Sequence, residues 1–292
     1  MVELFRAEWM KINGNRYMTS FTVWLFPVGV ATFLSLALIP ALASEQFRAQ
    51  VNAAPPTWTM QTLLPWTVIN SIITRMILVA FAADIFAGEY QRSMWKNLLP
   101  RRRRTTFILM KFLTMSLMLL IAFFLSCLFA GVFSGIVVRA TGAPYELTRA
   151  GETFSDFVDS FALQAFVAIA SGLISACFAA LGGILTRSIL GAVGFGAACT
   201  LGEQAILLVL FFLGNILNLP GIVKLYQYTP GYNLSNISSW ATSNSAYTIA
   251  AGNLSQYINP MSAGASFAIL AIWVVGLIGL TVWWFRRQDI LN

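Results

Sequence analysis

Three ionisable residues, Arg75, Asp84 and Glu203, lie within long apolar stretches of this 292-residue sequence. Charges inside a bilayer are costly, so they usually face protein or water and often mark a route for ions or substrates. At about 1.5 Å of rise per residue, Arg75 lies roughly 18 Å and Glu203 roughly 15 Å from the outer ends of their stretches. Opposite charges at similar depth predict an ion pair, within one chain or between two copies, beside a transport path. A pair that only fixes helix packing fits the same pattern. Asp84 lies near the cytoplasmic end of its apolar stretch, where its side chain can reach the membrane surface without a buried partner.

The sequence offers little other chemistry. It contains no histidine, which excludes catalysis, metal coordination and proton relay by imidazole. Cys127, Cys177 and Cys199 each lie in an apolar run and are expected to pack as small buried residues. A phosphate-binding loop, a zinc-protease motif and a convincing nucleophile–base set are all missing. We therefore expect no catalytic residue, no metal site and no cofactor on this chain.

The elements that position these charges are predicted membrane spans. Hydrophobic residues make up 58% of the chain and charged residues 10%, and the mean hydropathy is +0.74. A soluble domain usually has about 25% charged residues, and a helix needs about 20 apolar residues to cross a bilayer. We therefore predict an all-α integral membrane protein, a single transmembrane domain over residues 1–292. Six runs are long enough to span: 20–42, 63–86, 107–138, 159–185, 189–213 and 266–285.

The basic residues predict the orientation of these spans. The net charge is +7, but the Lys and Arg residues lie at the ends of apolar runs, so we expect an anionic membrane surface as the partner and no nucleic acid. If the N-terminus is cytoplasmic, thirteen of them, Lys111 included, fall in cytoplasmic segments and four in outer segments. This bias predicts that both termini are cytoplasmic.

The N-terminal segment, residues 1–18, is predicted to be an amphipathic helix on the cytoplasmic surface. Val2, Phe5, Trp9 and Ile12 recur at spacings of three and four and form one apolar face. A simple basic anchor is the alternative. The charged residues are expected on the other faces: Glu3, Arg6, Glu8 and Lys11.

The loop at 88–100 is predicted to contain a short cytoplasmic helix over 89–99. Glu89 suits its N-terminal end, and Pro100 would help to end it. An apolar patch in a cytoplasmic loop often marks a partner site; a helix that rests on the membrane is the alternative. The apolar residues of this loop are Met94, Trp95, Leu98 and Leu99.

The outer segment, residues 214–264, is too long to be a simple connection. It is rich in Asn, Ser, Gly, Tyr and Pro, and residues 217–226 are apolar enough to predict a short helix that dips into the outer interface. Long ordered loops often act as lids. We therefore predict an extracytoplasmic gate.

Together these features resemble the permease subunit of a type-2 ABC exporter. The resemblance covers the whole topology, from the N-terminal helix through the six spans. One departure is that Ser93-Met94 replaces the usual Gly-Thr after the loop glutamate. The motifs that carry the resemblance are Gly88-Glu89-Tyr90, Leu98-Leu99-Pro100-Arg101, Lys111 and the terminal Phe285-Arg-Arg-Gln-Asp289-Ile290.

The resemblance implies a mechanism and partners. Two permease copies, as a homodimer or heterodimer, would pair in a bacterial or archaeal plasma membrane. Two separate ATPase subunits, which carry ATP and Mg, would dock on the cytoplasmic face. An amphipathic or hydrophobic substrate, such as a peptide or antibiotic, would leave along the permease interface near Arg75 and Glu203. The loop helix would couple the ATPase to the spans through Glu89, Tyr90, Arg92, Met94, Trp95, Leu98 and Leu99.

Two other classes remain open from the residues alone. An ion-coupled secondary transporter or channel could use Arg75, Asp84 and Glu203 for coupling, although internal repeats are not apparent. A membrane-embedded enzyme would need a catalytic cluster, and the absence of histidine makes several such chemistries impossible.

Overall fold

The computed structural model describes residues 2–14, 20–68, 71–91, 104–149, 151–249 and 258–288. These residues form helices and include no strand, so the all-α class is confirmed for the described part of the chain. A π-helical turn at Ser20–Trp24 leads into α2, and a 3₁₀ helix at Pro220–Tyr228 precedes α9. The α-helices are α1 Val2–Gly14, α2 Leu25–Ala43, α3 Glu45–Ala53, α4 Trp58–Val68, α5 Ile72–Gln91, α6 Arg104–Ala140, α7 Phe154–Thr186, α8 Ile189–Ile216, α9 Pro230–Ser243 and α10 Ala263–Arg287.

Five helices among the described residues are long and apolar enough to cross a membrane: α2, α6, α7, α8 and α10. The pair α4 and α5 makes a sixth if it is one broken span. The ends of the five agree with the predicted runs to within about five residues.

The second predicted span, 63–86, is not one straight helix. Helices α4 and α5 meet at an angle of 58°, and the residues between them, 69 and 70, lie outside the described part. Pro65 in α4 cannot donate a backbone hydrogen bond, which weakens the helix before the bend. The Ser71 hydroxyl accepts a hydrogen bond from the Thr74 amide at 3.3 Å and so caps a new helix. Arg75 therefore lies in the first turn of α5, not in the middle of a continuous span.

Helix α7 is the centre of the bundle and packs against α5, α8, α9 and α10. In the apolar part of α7, 72% of the residues are buried, against 11% in the corresponding part of α2. The approach of α8 to α7 depends on Gly196, where an added Cβ would lie 3.1 Å from the Ala179 backbone and 2.8 Å from Val79 Cγ1. Such small residues let membrane helices pack closely.

The two ends of the bundle differ in structure. At one end, which we call the α1 end, α1 packs on α6. The last residues of α5, α7 and α10 also lie at this end. At the opposite end, the α9 end, the sequence pattern did not predict α3. Its Asn52 side chain donates to the Thr141 carbonyl at 3.1 Å, and the Trp58 amide that begins α4 donates to the Glu146 carbonyl at 2.9 Å.

The long segment at 214–264 is largely helical and is anchored to the bundle. The predicted short helix near 217–226 corresponds to the 3₁₀ helix, which begins three residues later. Helix α9 then lies against α7 and α10: Gln164 donates to Ser238 at 3.1 Å, and Asn236 donates to Ser266 at 2.8 Å. Residues 250–257 lie outside the described part.

Candidate functional site

Four charged side chains meet at the α1 end and form what we call the α1 cluster: Glu8 and Lys11 of α1, Glu89 of α5 and Lys111 of α6. The Lys111 ammonium lies 2.8 Å from Glu89 Oε1 and 3.6 Å from Glu8 Oε2. It also donates to the Ile85 carbonyl at 2.9 Å. Lys11 forms an ion pair with the same Glu89 oxygen. The cluster thus joins three helices through charged groups.

The α1 cluster is almost completely removed from solvent. The side chains of Lys111, Glu89 and Glu8 are 0%, 2% and 6% exposed, whereas Lys11 is 33% exposed. The Lys111 ammonium also lies 5.0 Å from the centre of the Phe107 ring. Buried charges persist only where other charges and hydrogen bonds compensate them. The position of α1 is therefore fixed by charge pairing as well as by apolar contact.

The prediction for the faces of α1 is wrong for Glu8. Glu8 was expected on a polar face of α1, away from the apolar face, but it is buried and faces Lys111. Leu4, Glu8 and Ile12 are four residues apart and share the face that packs inward, with Leu4 against the core and Ile12 buried. Burial of Glu8 is possible because α6 brings Lys111 to it, which the sequence of α1 alone does not show.

A second set of contacts ties the helix ends together around Gln288. The Tyr90 hydroxyl donates to Gln288 Oε1 at 2.6 Å, and the Gln288 amide donates to the Ile184 carbonyl. The Arg104 guanidinium donates to the Gln288 carbonyl at 2.7 Å. The ends of α5, α7 and α10 and the start of α6 are therefore fastened to one another.

Two of the predicted ATPase-coupling residues, Glu89 and Tyr90, are placed by the structure. Both lie in the last turn of α5, which continues to Gln91, whereas a separate helix was expected to begin at about Glu89. Their polar groups contact this chain's own α1, α6 and Gln288. The remaining predicted coupling residues lie outside the described part of the chain: Arg92, Met94, Trp95, Leu98 and Leu99.

The predicted contact between Arg75 and Glu203 is present within one chain. A guanidinium nitrogen of Arg75 lies 2.5 Å from Glu203 Oε2, and the side chains are 1% and 5% exposed. Arg75 Nε also donates to Ser175 Oγ at 2.8 Å, and Ser175 donates to the Ser171 carbonyl at 3.1 Å. The pair therefore links α5 and α8 to the central helix α7, and Ser175 is a partner that the sequence did not suggest.

The segment that follows α8 lies directly beside this pair. A Cβ added to Gly231, at the start of α9, would lie 3.6 Å from Glu203 Oε1. That oxygen is buried and has no hydrogen-bond partner among the described residues. Burial raises the pKa of Tyr226 in the 3₁₀ helix to about 12, and the negative charge of Glu203 contributes to this rise. The outer segment and the ion pair thus share one environment.

Three of the four members of the α1 cluster were not predicted as site residues: Glu8, Lys11 and Lys111. Lys111 was counted as a cytoplasmic charge that sets topology, but it is a fully buried residue in the second turn of α6. A lysine inside an apolar run was the available signal, because such a residue needs a carboxylate partner. Among the described residues, no group of three or more His, Cys, Asp or Glu side chains could hold a metal ion.

The helices and the buried ion pairs define the class of protein: a multi-pass membrane protein whose charges are compensated inside the bundle. Residues 4–180, from α1 through most of α7, match the family described as ABC-2 family transporter protein. The chain belongs to this family and is the membrane-spanning permease of an ABC transporter. Membership implies an ATPase partner, since such a permease generally has no ATPase of its own. A search of curated proteins found no match.

Proposed function

We propose that this chain is the permease subunit of an ATP-driven exporter that moves an amphipathic or hydrophobic substrate, such as a peptide or antibiotic, out of the cell. Two copies of the chain, or this chain and a related one, pair in the membrane. Separate ATPase subunits dock at the α1 end, which faces the cytoplasm together with both termini. Family membership supports the transporter class, and the positions of the two buried charge groups support the mechanism. The ion-coupled transporter and the membrane-embedded enzyme are less consistent with this family.

The observation that carries the mechanism is that one helix, α5, contains a residue from each charge group. Glu89 at one end belongs to the α1 cluster, and Arg75 at the other end contacts Glu203 and Ser175. The two residues are separated by about 21 Å at 1.5 Å per residue. A regular helix without an internal break transmits displacement along its length, because its backbone hydrogen bonds resist local change.

A docked ATPase would therefore act on the spans through α1 and α5. An ATPase that contacts the chain next to Gln91 displaces the end of α5, and the α1 cluster makes α1 move with it. The same displacement at Arg75 changes its contact with Glu203 beside the outer segment. We infer that ATPase closure alters this contact and that the outer segment opens for the substrate.

The route proposed for the substrate runs beside the Arg75–Glu203 pair. The unpartnered Glu203 oxygen lies next to Gly231, so a polar group of the substrate could be accepted there when α9 moves. Helices α5 and α8, which carry the pair, consist mostly of apolar residues and suit the hydrophobic part of the same molecule. This combination favours an amphipathic cargo over a small inorganic ion.

The first experiment is purification of the chain from its native host in mild detergent, followed by identification of the proteins that accompany it. A soluble partner with a phosphate-loop motif in fixed ratio to this chain is the expected result. Repeated isolation of the chain without any ATPase would contradict the proposal.

A second measurement tests the direction of transport. The complex is reconstituted in vesicles, and ATP is supplied only to those complexes whose α1 end faces outward. Hydrophobic peptides then accumulate inside the vesicles if the protein is an exporter. Loss of preloaded peptide from the vesicles under the same conditions would show the opposite direction.

A further inference from the structure

A cavity of about 420 Å³ lies between α2, α4 and α6 and is open on one side. It is separate from the α1 cluster and from the Arg75–Glu203 pair, and neither proposed role uses it. Its walls include Phe33 of α2, Leu64 of α4 and Phe123 of α6, with Gly29 at a point where no side chain enters. The volume is within the range of about 300–1,000 Å³ that is usual for ligand sites.

Each of the three polar side chains in the cavity wall makes a hydrogen bond within the protein. Ser126 donates to the Ala122 carbonyl at 2.8 Å, and the Gln61 side-chain oxygen accepts from Ser134 at 3.0 Å. The Thr74 hydroxyl accepts from Ser71 at 3.1 Å. The remaining lining is hydrocarbon, so the cavity is suited to an apolar ligand and not to water, which needs two or more polar partners.

The cavity extends from Leu25, the first residue of α2, to the middle of that helix, which is long and apolar enough to cross a membrane. Leu34, which lines it, is nine residues before the end of α2, about 14 Å at 1.5 Å per residue. Ala130, on the opposite wall, is ten residues before the end of α6, about 15 Å on the same basis. Because α2 and α6 are long and apolar enough to cross a membrane, both estimates place this inner part of the cavity at the level of the hydrocarbon chains of the bilayer.

We expect lipid at the open side, because helix α2, which forms one wall, has no charged residue and its Phe33 is 74% exposed. An unfilled void of this size would deprive the surrounding side chains of dispersion contacts. We propose that the cavity binds one acyl chain of a bilayer phospholipid, which enters from the surrounding membrane between α2 and α4.

The bound chain supports the bend in the second span. Val68 at the end of α4 and Thr74 at the start of α5 both line the cavity, one on each side of the bend. Thr74 precedes Arg75 directly in the sequence. Occupancy therefore stabilises the bent arrangement that positions Arg75, and an empty cavity leaves it less supported.

The test uses a phospholipid with a photoreactive diazirine in the middle of one acyl chain. The full permease with its partner subunits is reconstituted in vesicles of phosphatidylethanolamine and phosphatidylglycerol that contain this probe. After illumination, labelled peptides are identified by mass spectrometry. We expect saturable labelling of residues 25–34, 61–68 and 123–130, in excess of the non-saturable labelling of the exposed α10 surface near Val275.

The key variant is Gly29→Phe, because a Cβ added at Gly29 meets nothing within 4 Å and the ring fills the cavity. Gly279→Phe in α10 is the matched control, since a Cβ there also meets nothing within 4 Å but lies outside the cavity lining. Labelling of the three segments should fall at least fivefold in Gly29→Phe and stay unchanged in Gly279→Phe. Val30→Trp provides a second filling variant if Gly29→Phe does not fold.

Three results would overturn the proposal. Equal labelling of wild type and both filling variants would show that the cavity does not hold the chain. Labelling of α10 without labelling of the three segments would mean that another protein surface, such as a second copy, covers the cavity. Loss of the label when ATP is added would assign the cavity to the transported cargo. None of these results depends on whether transport is export or import.

Discussion

Replacement of Glu89 by Gln tests whether the α1 cluster holds α1, α5 and α6 together. The substitution keeps the size of the side chain but removes the charge that faces both Lys111 and Lys11. Lys11 is 33% exposed and can return to water, whereas Lys111 is fully buried and keeps, among its other contacts, the Ile85 carbonyl at 2.9 Å and Glu8 at 3.6 Å. Loss of one partner from a buried pair costs about 3–5 kcal/mol.

Because Lys111 keeps part of its environment, we expect the lower value, about 3 kcal/mol, which is more than a 100-fold change in the unfolding equilibrium. The assay is equilibrium unfolding in mixed micelles, followed by near-ultraviolet circular dichroism. Glu45→Gln is the control, because Glu45 is exposed at the start of α3 and its replacement should change the free energy of unfolding by less than about 1 kcal/mol.

A double variant distinguishes the ion pair from a general effect of the substitution. When Lys111→Met is combined with Glu89→Gln, the buried ammonium is removed as well. The double variant should then be less destabilised than the sum of the two single variants, by about 1–3 kcal/mol. A free energy of unfolding for Glu89→Gln within about 0.5 kcal/mol of the wild type would refute the reasoning, and so would strict additivity in the double variant.

Three further predictions concern the bundle centre. Glu203→Gln should lower ATP-dependent transport by about tenfold or more, since it removes a charge-assisted hydrogen bond of about 1.5–3 kcal/mol; unchanged transport with normal folding would contradict the assigned role. Ser175→Ala should lower stability by only about 1 kcal/mol in the same unfolding assay, because Arg75 keeps its carboxylate partner; a loss as large as for Glu89→Gln would argue against this. Gly196→Leu should destabilise the bundle by about 1–3 kcal/mol or more, because the new side chain meets the α7 backbone. Gly194→Leu is the control and should not destabilise it, since a Cβ there meets nothing within 4 Å. Equal thermal stability of these two variants would contradict the described packing of α8 on α7.

The membrane spans were predictable because their signal is contained in each segment. A run of apolar residues long enough to cross hydrocarbon defines a helix whatever lies around it, and α8 begins at the predicted residue and ends three residues later. The contact of Arg75 with Glu203 was predicted only from the similar depth of the two residues in their predicted spans. Two opposite charges at one level of an apolar bundle have few other places to find a partner.

The remaining features depend on contacts between segments. The apolar pattern continues through the bend between α4 and α5, so hydropathy does not detect it, and only Pro65 hinted at an interruption. Two sets of positions in α1 have helical spacing, one with Phe5 and Trp9 and one with Leu4 and Glu8. The choice between them is made by Lys111, about one hundred residues later in the sequence.

The two buried charge groups differ in whether the acidic partner is translated before or after the basic residue. Both carboxylates that face Lys111, Glu8 and Glu89, precede it, so they have already been made when the lysine leaves the ribosome. Helix α6 can therefore enter the membrane with its charge compensated. Arg75 is in the opposite situation, because Glu203 is translated 128 residues later. The nascent protein must shelter this arginine, with water, lipid headgroups or the insertion machinery, until α8 arrives.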